Sequence, residues 1–258
     1  MCIEWLFFDV GNTLVDESKA YETRLREAAA LIGKPYELIQ EEALDFYRQN
    51  DKGDLAVMDK YGIPKPKWPK EDERLYPETV EVLKALKAKY KIGVIANQSL
   101  GTAARLQAWG ILQFIDLVIA SAEEGVSKPD PRIFEIALGR ADCKAEHAVM
   151  IGDRIDNDVV PAKKMGMKTV WIRQGGGGLW QLQGPEQQPD FTVDNLGELV
   201  KIFCMTTGNF WRVVNLFEFI FSLYHKKTSI LYILYTIHPS FQAQRNNSQH
   251  NKNQGFRD

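Results

Sequence analysis

Apolar residues along the chain follow two alternating rhythms. Five short continuous runs, at 3–10 (IEWLFFDV), 91–97 (KIGVIAN), 115–121 (IDLVIAS), 147–153 (HAVMIGD) and 168–173 (KTVWIR), have the length and β-rich composition of strands buried on both faces. Between them, the segments 77–90, 101–110, 130–141 and 158–166 repeat apolar positions every three or four residues, the spacing of a helix with one buried stripe. Strand, helix and strand in repetition predict an α/β domain whose parallel sheet is covered by helices on both faces.

One segment breaks the rhythm. Residues 16–76 carry helical patterns such as ESKAYETRLREAAALIG and PYELIQEEALDFYRQN with no strand among them, and GIPKPKWPK (62–70) reads as an ordered return loop. The expected organisation is therefore a three-layer Rossmann-like core from 1–15 and 77–204, a helical cap from 16–76, and an appended C-terminal tail from 205–258. A closing helix is expected over 194–203. Beyond it, 209–237 is aromatic-rich and sparsely charged, and the final polar residues are low in complexity and read as disordered.

Charge separates these portions. The tail from Met205 onward holds six basic and two acidic residues, so the chain's net charge of −2 leaves −6 for residues 1–204. A membrane span over the aromatic stretch is disfavoured, because Glu218, Lys226 and Lys227 interrupt it and each such charge at mid-bilayer costs roughly 2.5 to 3.5 kcal/mol. The abrupt change of composition would also follow from a shifted reading frame near Phe203. A near-neutral balance gives no footprint for nucleic acid. Three scattered cysteines, Cys2, Cys143 and Cys204, and an N-terminus without a basic region and a long apolar stretch fit a cytoplasmic protein without disulfides.

Four polar residues stand at or just beyond the carboxyl ends of successive apolar runs: Asp9, Asn97, Lys128 and Asp153. Ligands of open parallel sheets bind at that edge. Singly, each residue is explained as a turn former, a cap or a solvated lysine; together they suit phosphoryl transfer. Asp9 can attack phosphorus with one oxygen and offer the other to Mg²⁺, Asp153 adds a second hard oxygen ligand, and Lys128 offsets the negative charge of a phosphate ester. Groups around Ala96 and Asn97 would donate to the phosphate, and Thr13 would fix the turn behind Asp9. None of the four histidines falls at metal-ligand spacing, and QGGGGLW (174–180) reads as a flexible surface loop.

On these motifs the sequence resembles the haloacid dehalogenase-like hydrolases over about residues 4–203. The resemblance makes Asp9 in DVGNTL the nucleophile, VIAN the second motif, Lys128 in SKPDP the third, and Asp153 with Asp158 in GDRIDND the fourth. It implies Mg²⁺ held by Asp9, Asp153 and the backbone carbonyl of Gly11, with Asp158 supporting the site from behind. Two positions depart from the pattern. Phosphatases of the family usually carry an acid two residues after the nucleophile, as proton donor and acceptor, where this chain has Gly11; Ala96 stands where a hydroxyl residue is usual. The resulting expectation is a phosphatase of a small phosphorylated metabolite. Alternatives are a haloacid dehalogenase, which needs Asp9 without a metal, and a weakly catalytic binding protein with an interaction segment in its tail.

Overall fold

A computed structural model of the chain describes residues 2–205. The aromatic-rich stretch, the polar end and any interaction segment built on them lie outside the described residues. Chain order is β1 (Trp5–Phe8), β2 (Val15–Asp16), α1 (Ser18–Ile32), α2 (Tyr36–Arg48), α3 (Gly53–Tyr61), β3 (Arg74–Leu75), α4 (Thr79–Lys87), β4 (Lys91–Ala96) and α5 (Thr102–Ala108). It continues through β5 (Leu117–Ala120), α6 (Ser121–Glu124), α7 (Pro131–Ala141), β6 (Ala148–Gly152), α8 (Val160–Lys164), β7 (Lys168–Ile172), β8 (Phe191–Val193) and α9 (Gly197–Val200).

Six strands form one parallel sheet in the order β5-β4-β1-β6-β7-β8. All four residues of β1 and all five of β6 are buried, which is why these strands read as unbroken apolar runs and not as alternation. Phe7 and Phe8 are fully buried, each worth about 1.5 to 3 kcal/mol relative to exposure. On one face, Trp5 and Phe7 stack with ring centroids 5.2 Å apart and pack with Ile95, Phe134 and Met150. The helix α7 begins as its sequence predicts: Asp130 accepts the Arg132 N–H at 2.9 Å, and Pro131 occupies the first helical position.

The inserted helices have an apolar core of their own, built on Leu25, Ala29, Ile39, Ala43 and Val57. Both connections to the sheet pass through β2 and β3, paired antiparallel with Val15 opposite Leu75 and Asp16 opposite Arg74. This ribbon departs from the strand-free reading of 16–76, since two residues per strand are too short to show a period. β8 was also unread: it is a three-residue edge strand with an exposed Thr192 at its centre. No helix among the described residues is long and apolar enough to cross a membrane.

Candidate active site

β1 has β4 on one side and β6 on the other, so the connections leaving these strands diverge and open a crevice at their carboxyl ends. Asp9 follows β1 directly. The chain then turns tightly, with the Leu14 and Val15 N–H groups both donating to the Val10 carbonyl, at 2.9 and 3.0 Å. Asn12 takes φ of 49° within that turn, a left-handed conformation that Asn tolerates better than most residues. Thr13 is fully buried in the same turn, and its hydroxyl has no hydrogen-bond partner among the described residues.

Ala96 ends β4 as a buried residue, and Asn97 follows it. The Asn97 side chain makes a reciprocal pair with the Lys128 backbone: its amide donates to the Lys128 carbonyl at 2.8 Å, and its oxygen accepts the Lys128 N–H at 2.7 Å. Asn97 thus places Lys128. The buried Lys128 ammonium donates to Asp9 Oδ1 at 2.7 Å and to Asp158 Oδ1 at 2.5 Å. Asp153, just past β6, is 3 % exposed, and the Trp171 indole N–H donates to its carbonyl at 2.8 Å. Asp158, on the wide turn Ile155–Val159, also accepts the Arg154 N–H at 3.0 Å.

Asp9, Lys128, Asp153 and Asp158 therefore meet at one point, and Asn97 is tied to it through the Lys128 backbone. Asp9, Asp153 and Asp158 each bring a carboxylate oxygen within 4.8 Å of the others. Burial, then the Asp9 and Asp158 charges, pushes the Asp153 carboxyl well above the ordinary carboxylate range. Burial likewise pushes Asp158 up to about 6, although Lys128 opposes it. Burial of Lys128 works against its charge, but Asp158 and Asp9 overcome this and hold the ammonium above its usual value. Three carboxylates against one ammonium leave an excess of buried negative charge on hard oxygen donors, the chemistry of a Mg²⁺ site. The residues fit that ion.

Two parts of the site escape a reading of the sequence. Glu17 stands at the N-terminus of α1 without capping it; Asp16 accepts the Ser18 N–H instead, at 2.8 Å. The Glu17 side chain turns inward, 8 % exposed, and its carboxylate covers Gly11: a Cβ on Gly11 would lie 2.4 Å from Oε1. Burial first, then Asp9 and the acids Glu73, Asp54 and Asp16, pushes Glu17 up to about 8. The signal was an acid at a helix start, where a negative charge ordinarily answers the helix dipole.

The glycine run is the second part, and it is not the flexible surface loop that its composition suggests. Gly175 lies against Asn12 and Gly176 against the Tyr47 ring. Gly177 is buried against Asp153, whose carbonyl oxygen would sit 2.5 Å from an added Cβ. The run lets backbone approach the carboxylate cluster. Above the crevice is a polar cavity of about 320 Å³ lined in part by Glu17, Tyr21, Arg24, Trp68, Asn97 and Arg154. A second, more apolar cavity of about 410 Å³ shares Tyr21 and Tyr47 with it and reaches Tyr36, Leu44 and Leu179.

Known proteins resemble this chain in sequence and in fold. The haloacid dehalogenase-like hydrolase family matches residues 3–166. A glyceraldehyde 3-phosphate phosphatase of Methanocaldococcus jannaschii is 34% identical over 223 residues, 78% of this chain and 96% of that protein. A protein of the same description from Pyrococcus furiosus is 29% identical over 233 residues, 80% and 95% of the two chains. Among solved structures, a HAD phosphatase from Thermococcus onnurineus superposes with a TM-score of 0.55 at 24% identity, covering 78% of this chain and 98% of that one. A 2-haloacid dehalogenase from Pseudomonas syringae superposes with a TM-score of 0.51, also at 24% identity, over 78% and 97%. The two superpositions establish the parallel-sheet fold, and the sequence matches go further: this chain belongs to the haloacid dehalogenase-like hydrolase family.

Proposed function

We propose that the protein is a Mg²⁺-dependent phosphatase of a small phosphorylated metabolite, that Asp9 carries the phosphoryl group during the reaction, and that the helices within 16–76 act as a cap over the crevice. The observation that carries this reading is the meeting of Asp9, Asp153 and Asp158 around Lys128. The named substrate of the similar archaeal proteins, a triose phosphate, is compact enough for a cavity of about 320 Å³. Free thiols at Cys2, Cys143 and Cys204 support a cytoplasmic setting.

Asp9, Asp153 and the Gly11 carbonyl would hold the ion, with Asp158 behind them. Bound Mg²⁺ supplies charge neutralisation for an anionic nucleophile approaching an anionic ester. The remaining work belongs to the chain. Lys128 holds and directs Asp9, and its charge faces the phosphoryl oxygens. Asp158 and Asn97 fix Lys128 from two sides, so its ammonium does not need to reorganise as charge develops on the ester. Asp9 attacks phosphorus, and the acyl phosphate so formed is then hydrolysed by water. Ala96 offers no hydroxyl, which leaves phosphate binding to backbone donors of the loop after β4.

A haloacid dehalogenase would need the Asp9 nucleophile but no crowd of carboxylates about it, and Asp153 would then oppose catalysis. The test is hydrolysis of an aryl phosphate and of glyceraldehyde 3-phosphate with Mg²⁺ and with chelator. Asp9→Asn should lower the Mg²⁺-supported rate by roughly three orders of magnitude or more. An unchanged rate in that variant, or halide release from a 2-haloacid in chelator, would refute the reading.

A further inference from the structure

A phosphate ester of an ordinary alcohol leaves as a poor alkoxide unless a proton reaches its oxygen, and the water that later attacks the acyl phosphate must lose one. Position 11, beside the nucleophile, has no side chain for this task. Of the other acids near the crevice, Asp158 is held by Lys128 and the Arg154 N–H, Asp54 by Arg24 at 2.8 Å, and Glu73 by the Trp68 indole at 2.7 Å. Glu17 differs. The one hydrogen bond its side chain makes among the described residues is a long one from Asn12 Nδ2, at 3.4 Å.

Its location is also distinctive. All three carboxyl atoms of Glu17 lie within 2.7 Å of where a Gly11 Cβ would stand, so the group fills the volume that a side chain at 11 would take. The same carboxyl lines the polar cavity together with Asn97, Gln98 and Ser99 from the loop after β4. A glycine at 11 and an inward glutamate at 17 are thus one spatial choice, since any larger residue at 11 would displace the carboxyl.

Resting on the phosphatase reading above, we propose that Glu17 is the proton-transferring residue of the reaction, delivering its acid from the start of α1 and not from the strand that bears the nucleophile. In the first step an Asp9 oxygen bonds to phosphorus while the bond from phosphorus to the leaving oxygen breaks, and that oxygen takes the Glu17 proton. In the second, the Glu17 carboxylate takes a proton from water as the water oxygen bonds to phosphorus. The bond from phosphorus to Asp9 breaks, releasing phosphate and restoring both acids.

Full-length Glu17→Gln, which keeps size and shape, tests this with two esters under rapid mixing in Mg²⁺. p-Nitrophenolate leaves without a proton, so its first turnover should stay within about threefold of wild type while later turnovers fall. With an alkyl phosphate the first turnover itself should drop by about a hundred- to ten-thousand-fold. Gly11→Asp alone should lose activity through conflict with Glu17, and Gly11→Asp with Glu17→Ala should recover alkyl phosphate turnover. Equal slowing of both first turnovers would mean only a structural role and overturn the proposal, as would full alkyl phosphate activity in Glu17→Gln. Asp9→Asn runs alongside: its failure to abolish turnover, or an inactive wild type, would sink the phosphatase reading itself, whereas an active wild type with an indifferent Glu17→Gln sinks the Glu17 assignment alone.

Discussion

Replacing Lys128 with Met removes the ammonium and keeps most of the stem. Among the described residues it is the cation paired with Asp9 and Asp158, at 2.7 and 2.5 Å, and its side chain is 2 % exposed. Asp158 already sits near 6 against an ordinary 3.8, so in the native wild type it is ionised above pH 6 and protonated below. Its stabilising influence therefore fades as pH rises from 3.8 toward 6. Without the ammonium its pKa climbs further, and the native variant retains a proton that the native wild type has released. A native state holding one extra proton loses about 1.4 kcal/mol of relative stability per pH unit. Above pH 6 the deficit therefore widens as pH rises, toward the roughly 3 kcal/mol at the low end for a broken buried pair. In melting temperature this is roughly 6 to 12 °C for a protein of this size. Urea and thermal unfolding in EDTA at several values from pH 5 to 8 measure it. A gap between variant and wild type that stays constant across that range would refute the electrostatic reasoning.

Two further outcomes follow from the same geometry. Saturating Mg²⁺ should stabilise wild type by about 2.7 kcal/mol at a hundredfold excess over its dissociation constant, and Asp153→Asn should lose that gain while being more stable than wild type in EDTA; an equal Mg²⁺ shift in both, read by calorimetry, would contradict the ion site. Gly177→Ala should destabilise by about 1 to 3 kcal/mol, because the Asp153 carbonyl 2.5 Å from its Cβ is backbone and cannot swing aside. Gly139→Ala in α7, with nothing within 4 Å, is the control and should be neutral or stabilising in the same unfolding assay.

The strands β1, β4, β6 and β7 were legible because burial on both faces forces continuous apolar runs, β5 because its four residues are apolar although it lies at the sheet edge, and the acids following β1 and β6 stood out by contrast. Asp9 and Asp153 were legible for that reason; Lys128 was read from the loop after the third run, and Asp158 from the family resemblance alone. The exact partnership of Asn97 with the Lys128 backbone was not, since a side-chain amide after a strand is equally a turn former. Glu17 was hidden by its neighbours. In DESKAYETR it is one acid among many at a helix start, and only the absence of a Cβ at Gly11, six positions earlier, makes room for it inside. Gly175 to Gly178 misled for the complementary reason. Sequence records that a glycine lacks a side chain, but not which backbone or ring takes up the space.

The narrow β2–β3 ribbon has an evolutionary reach. Because entry and exit are clasped as one antiparallel pair, the intervening chain can be exchanged wholesale, and a longer replacement adds only a slowly growing closure entropy. Asp9, Lys128 and Asp153 lie outside this cassette, but Glu17 is its first residue past the clasp. Descent by cassette exchange would therefore hand on the nucleophile with one module and the carboxyl above Gly11 with another.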